Sequence, residues 1–316
     1  MYDDVNTADS TVRDHGVLVG FDGSEHAKAA LRFGANEALR RKTRLTVVTV
    51  YTVPVPIYPN MASLPPEPEG QTRRKIAEAT LEVAEGDLSD YAGEVVFAVA
   101  EGNPTGTLVE LSEQAQLIVV GARGRDGFVG RVLGSVASAL PAHAHCPTLV
   151  FPGTDLAEAG TKDEGPAEEE TTAPIVAAVD GSAQSFAVVK QAAQTAEETT
   201  APLKLLMIMP QLEEWLYWYP DLQVHHESRQ RRRAEFETKI RSDFSWLFDD
   251  HPDLDISIDV EIGHPEDVIS DWTAKAALTV VGNRGRGAVR SALLGSVSRG
   301  VLNTARGPVM IVPRQS

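Results

Sequence analysis

The chain of 316 residues is short of several things, and each shortage closes off a class of protein. It has one cysteine, Cys146, so no disulfide can form within the chain, which fits a reducing compartment. Lys and Arg total 29 against 45 Asp and Glu, a formal charge of −16. A nucleic-acid binder needs a basic surface to displace counterions from phosphates, so bulk nucleic-acid binding is not expected. No apolar run approaches the ~20 residues of a membrane span, so no membrane partner is expected. The polar, acidic stretch Met1–His15 lacks the apolar core of a signal peptide. The expectation is a soluble, cytoplasmic protein whose acidity serves solubility.

What the chain has instead is a motif written twice. Gly121-Ala122-Arg123-Gly124, nine residues, then Gly134-Ser135-Val136, returns as Gly282-Asn283-Arg284-Gly285, nine residues, then Gly295-Ser296-Val297. Each copy follows a short apolar run that reads as a buried strand, Leu117–Val120 and Leu278–Val281, and leads into a stretch that reads as a helix. A strand, a glycine-rich loop and a helix start form a phosphate cradle. Glycine lets the backbone approach an anion, and the N–H groups of the first helical turn point at it. The spacing is neither Walker A nor the dinucleotide fingerprint GxGxxG.

The repetition extends beyond the loop. Asp22-Gly23-Ser24 matches Asp180-Gly181-Ser182 at an offset of 158, and Gly102-Asn103-Pro104 matches Gly263-His264-Pro265 at 161. A period this long marks a duplicated domain rather than a solenoid. Strand-like and helix-like stretches alternate in each copy, the pattern of a parallel sheet covered on both faces. The expected strands are 17–21, 45–51, 94–99, 117–120 and 148–151, then 175–179, 203–209, 256–261, 278–281 and 309–312. Residues 153–173 carry seven acidic side chains and no aromatic or β-branched aliphatic one, and read as a flexible linker. The organisation expected is a disordered tail 1–15, a first domain 16–152, the linker 153–173 and a second domain 174–316.

These motifs resemble the G-x2-G-x9-G-[S/T] signature of the ATP-binding branch of the universal stress protein family, in its tandem two-domain form. The resemblance covers nearly the whole chain apart from tail and linker. It implies two open parallel five-stranded sheets with helices on both faces, Rossmann-like and similar to the adenine nucleotide alpha hydrolases. It implies their packing as a pseudo-dimer through the final strands, with a further homodimer left open. It also implies ATP as ligand, one per domain, a stress-response role and an unidentified regulatory protein partner.

The residues expected at the nucleotide are Asp22, Gly23, Ser24, Gly121, Gly124, Gly134, Ser135 and Val136, and in the second domain Asp180, Gly181, Ser182, Gly282, Gly285, Gly295, Ser296 and Val297. The resemblance adds the backbone of Val50 and Ile208 at the adenine edge. A carboxylate at Asp22 or Asp180 suits ribose hydroxyls, or Mg²⁺ held through water; the plainer reading is a turn residue or helix cap. For Ser135 and Ser296 a helix N-cap and a phosphate contact are compatible. Arg123, Arg125, Arg284 and Arg286 line the loops and suit phosphate oxygens, although solvated loop arginines are the commoner case.

Other clusters carry less. His143, His145 and Cys146 have no counterpart in the second copy, where Thr304, Arg306 and Gly307 stand, so a buried cysteine entering a strand is preferred to a metal site. His225, His226 and Arg231–Arg233 read as a solvated helix face. Trp215, Tyr217, Trp218 and Tyr219 fit packing, a base lid or a partner surface, and the sequence does not choose. No nucleophile–base pair repeats between the copies. Binding with little or no turnover is therefore expected; a slow ATPase and a nucleotide-free interaction module are the alternatives.

Overall fold

The computed structural model describes residues 3–4, 15–53, 69–125, 133–152, 173–209, 226–285 and 294–314. The expected aromatic group 215–219, the linker core 153–172 and Arg286 lie outside the described residues. The chain divides into two units, Met1–Glu158 and Ala159–Ser316.

In the first unit the strands are β1 (Asp3–Asp4), β2 (Gly16–Gly20), β3 (Leu45–Tyr51), β4 (Val95–Glu101), β5 (Ala115–Gly121) and β6 (Thr148–Phe151). The helices are α1 (Glu25–Arg40), α2 (Glu69–Asp87), α3 (Pro104–Leu111) and α4 (Ser135–His143). The strand order is β1-β4-β3-β2-β5-β6, and the pairings are parallel. Crossover helices are what parallel neighbours require. Helix α1 packs against β2 and β5, and α2 against β3 and β4; α3 and α4 pack on each other and on β3 and β5 respectively.

The second unit has β7 (Ile175–Val179), β8 (Leu203–Met209), β9 (Ile256–Ile262), β10 (Leu278–Gly282) and β11 (Val309–Val312). Its helices are α5 (Gln184–Thr199), α6 (His226–Asp243), α7 (Ser245–Asp250), α8 (Pro265–Thr273) and α9 (Ser296–Thr304). The strand order β11-β10-β7-β8-β9 repeats that of the first unit, again parallel. Each unit is thus an α/β sheet of about five strands.

Two departures from the sequence expectation have local causes. Asp3–Asp4, in the stretch expected to lack structure, pairs with Ala98 and Val99 on the outer edge of β4, whose backbone groups would otherwise be unpaired. Helix α3 stops at Leu111 rather than near Gln114. There Glu113 and Gln114 donate to Glu110 and Leu111 three residues back, the tighter turn in which α-helices often end.

The duplication is written into the core. The buried positions of α1 are Ala27, Ala30, Leu31, Gly34, Ala35, Glu37 and Ala38; those of α5 are Ser185, Val188, Val189, Ala192, Ala193, Thr195 and Ala196. Every one is displaced by 158 positions, so the same helix face is buried in both units. Where Glu37 is fully buried, Arg40 and Arg41 on the next turn pair with it, as a buried charge requires. The matching Thr195 needs no such partner and bonds the Gln191 carbonyl instead.

Volumes are exchanged at one contact. A Cβ on Gly34 would lie 2.5 Å from Val19 Cγ2, and the matching residues of the second unit are Ala192 and Ala177. Where the strand carries the larger side chain, the helix carries none. Gly34→Ala gains about 1 kcal/mol of helix propensity and incurs an overpacking cost of about 1–3 kcal/mol. The expected outcome is net destabilisation, seen as a lower urea midpoint, with Val19→Ala added in the same chain recovering part of it. Independent effects of the two substitutions would contradict this contact.

Candidate functional site

The carboxyl ends of the parallel strands share one edge of each sheet, and in open sheets ligands bind in the crevice outside that edge. Asp22-Gly23-Ser24 follows β2 and opens α1; Gly121 ends β5. Ser24 is the N-cap of α1, its Oγ accepting from the Ala27 N–H at 3.1 Å while donating to the Arg123 carbonyl at 3.3 Å. Asp22 accepts from the Ser24 N–H at 3.0 Å and from the Arg125 N–H at 3.2 Å. The turn after β2 is therefore clasped to the glycine loop after β5 through both serine and aspartate. Gly23 sits at φ +80°, a conformation glycine adopts without strain.

The second glycine of the motif is set by the same contact. A Cβ on Gly124 would stand 2.6 Å from Asp22 Oδ2, and one on Gly285 would stand 2.8 Å from Asp180 Oδ2. In both units the carboxylate occupies the space a side chain would need. The first glycine serves packing: a Cβ on Gly121 would lie 2.7 Å from the His26 backbone, and one on Gly282 would lie 2.6 Å from Gln184 Cγ.

The third glycine begins the helix. Gly134 and Gly295 are the N-caps of α4 and α9, extended at φ −66° and −65°, and neither cap has a side chain that bonds the first turn. This corrects the capping role expected for Ser135 and Ser296: both are the first helical residue, and both are exposed. A helix leaves its first N–H groups without intrahelical partners, so with glycine as cap those of Ser135, Val136, Ser296 and Val297 stay available to an anion. The loop closes on itself just before this point, the Gly134 N–H donating to Ala122 O at 2.8 Å and the Gly295 N–H to Asn283 O at 2.7 Å.

Val50 and Ile208 occupy equivalent places, one residue before the ends of β3 and β8, paired with Ala100 and Glu261. Both strands end on the edge that carries the glycine loops. Arg125 reaches from the loop to α2, its Nη2 donating to Thr80 Oγ1 at 2.9 Å. Beside the turn, the Lys28 ammonium bonds Glu25 and holds that exposed carboxyl below its usual range.

The second unit builds the same turn with different partners. Asp180 accepts from the Ser182 N–H at 2.9 Å and from Ser185 Oγ at 2.9 Å, and α5 begins without a side-chain cap. Gln184 ties the start of α5 to the end of the sheet, its Nε2 donating to Val312 O at 3.0 Å and Pro313 O at 3.1 Å. Thr80, Ser185 and Gln184 were not singled out from sequence; for Ser185 the signal was its place opposite Ala27 in the repeat.

The cysteine–histidine group and the arginines of α6 are accounted for by burial and ion pairs. Cys146 is 1% exposed in the core, and exposed His145 pairs with Glu113. Arg231 and Arg233 lie on α6 and pair with Glu235 and Glu237 one turn on, a solvated helix face as expected. Among the described residues no group of three or more His, Cys, Asp and Glu is placed to hold a metal ion, and no helix is long and apolar enough to cross a membrane.

Two α/β units, each with a parallel sheet, a carboxylate clasped against a glycine loop and a helix capped by glycine, define a duplicated Rossmann-like protein. The chain matches the Universal stress protein family over residues 15–152 and again over residues 172–313, and belongs to that family. A universal stress protein of Mycobacterium tuberculosis is 32% identical over 311 residues, spanning 96% of this chain and 98% of its own. One from Mycolicibacterium smegmatis is 29% identical over 303 residues, spanning 95% and 97%. Among solved structures, a universal stress protein from Archaeoglobus fulgidus shares the fold with a TM-score of 0.62 at 16% identity, covering 96% of this chain and 98% of that one.

The two serines of the turns predict different responses. Ser24→Ala removes a cap and a loop contact, and lowers the stability of the protein by about 0.5–2 kcal/mol. Ser182 makes no cap, so Ser182→Ala leaves stability near the wild-type value. Denaturant unfolding of both variants checks this, and an equal loss in the two would contradict it.

Proposed function

We propose that this universal stress protein is an ATP-binding regulatory protein of the stress response, with one nucleotide site in each unit and little or no turnover. The observation that carries the reading is the glycine-capped helix start beside a clasped carboxylate, built once in each unit. The phosphates lie against the N–H groups of Ser135 and Val136, or of Ser296 and Val297. The turns at Asp22–Ser24 and Asp180–Ser182 face the ribose and phosphates. The adenine edge meets the backbone at Val50 and Ile208.

A carboxylate offers about four acceptor positions. Asp22 uses two, on the Ser24 and Arg125 N–H groups. The remainder suits a Mg²⁺ ion that accompanies the phosphates, held through water. Among the described residues no nucleophile–base pair repeats between the two cradles, which supports retention of the nucleotide over hydrolysis. A regulatory protein partner reads the nucleotide state.

The test is substitution of the capping glycines. A Cβ on Gly134 would lie 3.2 Å from Ala122 O, and one on Gly295 3.4 Å from Asn283 O, so a valine presses the loop out of register with the helix start. The double variant Gly134→Val, Gly295→Val is expected to lose ATP while far-UV circular dichroism stays unchanged. Each single variant keeps about half the nucleotide at saturation. A double variant that still carries stoichiometric ATP would refute the cradle.

Backbone groups at the ends of β3 and β8 present one donor/acceptor pattern, which favours adenine over guanine. Calorimetric titration is expected to give weaker binding of GTP than of ATP; equal affinities would remove the adenine pocket from the proposal.

A further inference from the structure

The two cradles differ in what is left unsatisfied. In the second unit three buried polar atoms without a hydrogen-bond partner belong to the two segments that meet at the crevice: Ser182 Oγ, Asn283 Oδ1 and Arg284 Nε. Asn283 is 8% exposed. The segments are in contact, since Gly285 lies under the Asp180 carboxylate. Buried polar groups in folded proteins are nearly always paired, and three on contacting segments that are not paired call for something that completes them.

The first unit has no such cluster at the matching positions. Ser24 Oγ both accepts from Ala27 N–H and donates to Arg123 O. The residue matching Asn283 is Ala122, which has no polar side chain, and Arg123 has a partner. Arg125 is engaged with Thr80. At these three matching positions the first unit leaves no such group.

We infer that the two sites are unequal, and that the second unit's cradle is the high-affinity one, completed by the polar atoms of its nucleotide. The chemistry of the unpaired groups matches such a ligand. A guanidinium Nε–H donates to a phosphoryl oxygen, an amide oxygen accepts from a ribose hydroxyl, and a serine hydroxyl does either. Binding there relieves three desolvated groups at once. In the first unit it must compete with bonds the protein already makes, so the nucleotide is held more weakly and exchanges. The inference rests on the ATP-binding reading above and adds a division of labour between the units: one retained nucleotide and one exchangeable nucleotide.

The experiment is calorimetric titration of ATP into the full chain stripped of nucleotide, with melting temperatures measured before and after. Wild type is expected to show two classes of site, and Gly134→Val to remove the weaker one. Asn283→Ala and, separately, Ser182→Ala are each expected to weaken the tighter class by about tenfold, the loss of one hydrogen bond to a charged or hydroxyl group. The weaker class is unchanged by either. The melting temperature of nucleotide-free Asn283→Ala equals or exceeds that of wild type, because the substitution removes an unpaired buried group. A merely structural Asn283 would instead lower that temperature and leave affinity unaltered.

Two wild-type sites of equal affinity would overturn the inference and leave the ATP reading intact. Unchanged affinity in both variants, as when water alone fills the site, would overturn it too. A wild-type chain that takes up no ATP would refute the ATP reading itself, and the inference with it.

Discussion

The constraint on which the site depends is steric: an aspartate carboxylate lies where the side chain of a loop residue would be. Asp22 Oδ2 and Asp180 Oδ2 stand 2.6 and 2.8 Å from the positions a Cβ would take on Gly124 and Gly285. Glycine is required there by the approach of another residue, since neither position has a positive φ. The approach fixes the loop after β5 against the turn after β2, and the loop after β10 against the turn after β7. The Gly134 and Gly295 N–H groups tie the start of the following helix to the same loop. Removing the carboxylate or adding the side chain would break the same contact from opposite sides.

A second constraint follows at the helix. A serine, threonine or aspartate cap would consume one of the first N–H groups, which is what Ser24 does at α1. Gly134 and Gly295 consume none. In the first unit the helix after the turn has a side-chain cap, in the second it has none, and in both units the helix after the glycine loop has none. A residue-preference argument that places serine at every helix start misreads α4 and α9 by one position, because preference reports average stability and here the loop supplies glycine at the cap itself.

Much of the fold was legible because its signals are local. Parallel strands buried on both faces read as continuous apolar runs, and β3, β6, β7, β8 and β11 begin and end at the residues those runs mark. The repeat told which elements correspond, and the buried faces of α1 and α5 agree position for position. What was not legible depends on partners distant in sequence. Thr80 meets Arg125 across 45 residues, and Ser24 meets Arg123 across 99. Nothing local to Asn283 distinguishes it from a solvated loop amide; only its burial without a partner does. The strand at Asp3–Asp4 was equally hidden, because its pairing is supplied by the edge of β4 rather than by its own side chains.

Duplication within one chain gives freedom that a symmetric pair of identical subunits lacks. In a homodimer both copies of a site carry the same side chains, so a substitution that leaves a group unpaired in one leaves it unpaired in the other. Here the two copies have drifted at matching positions: Gly34 and Val19 against Ala192 and Ala177, Glu37 against Thr195, Ala27 against Ser185, Ala122 against Asn283. In the core these exchanges compensate, volume for volume and charge for partner, because an uncompensated change there costs about 1–3 kcal/mol of a small total. At the crevice Asn283 is not compensated. A site that binds a ligand can carry an unpaired group as long as the ligand pairs it, since binding to the folded state alone adds to stability. On the proposed reading, that is why Asn283 can stay unpaired beside the glycine loop.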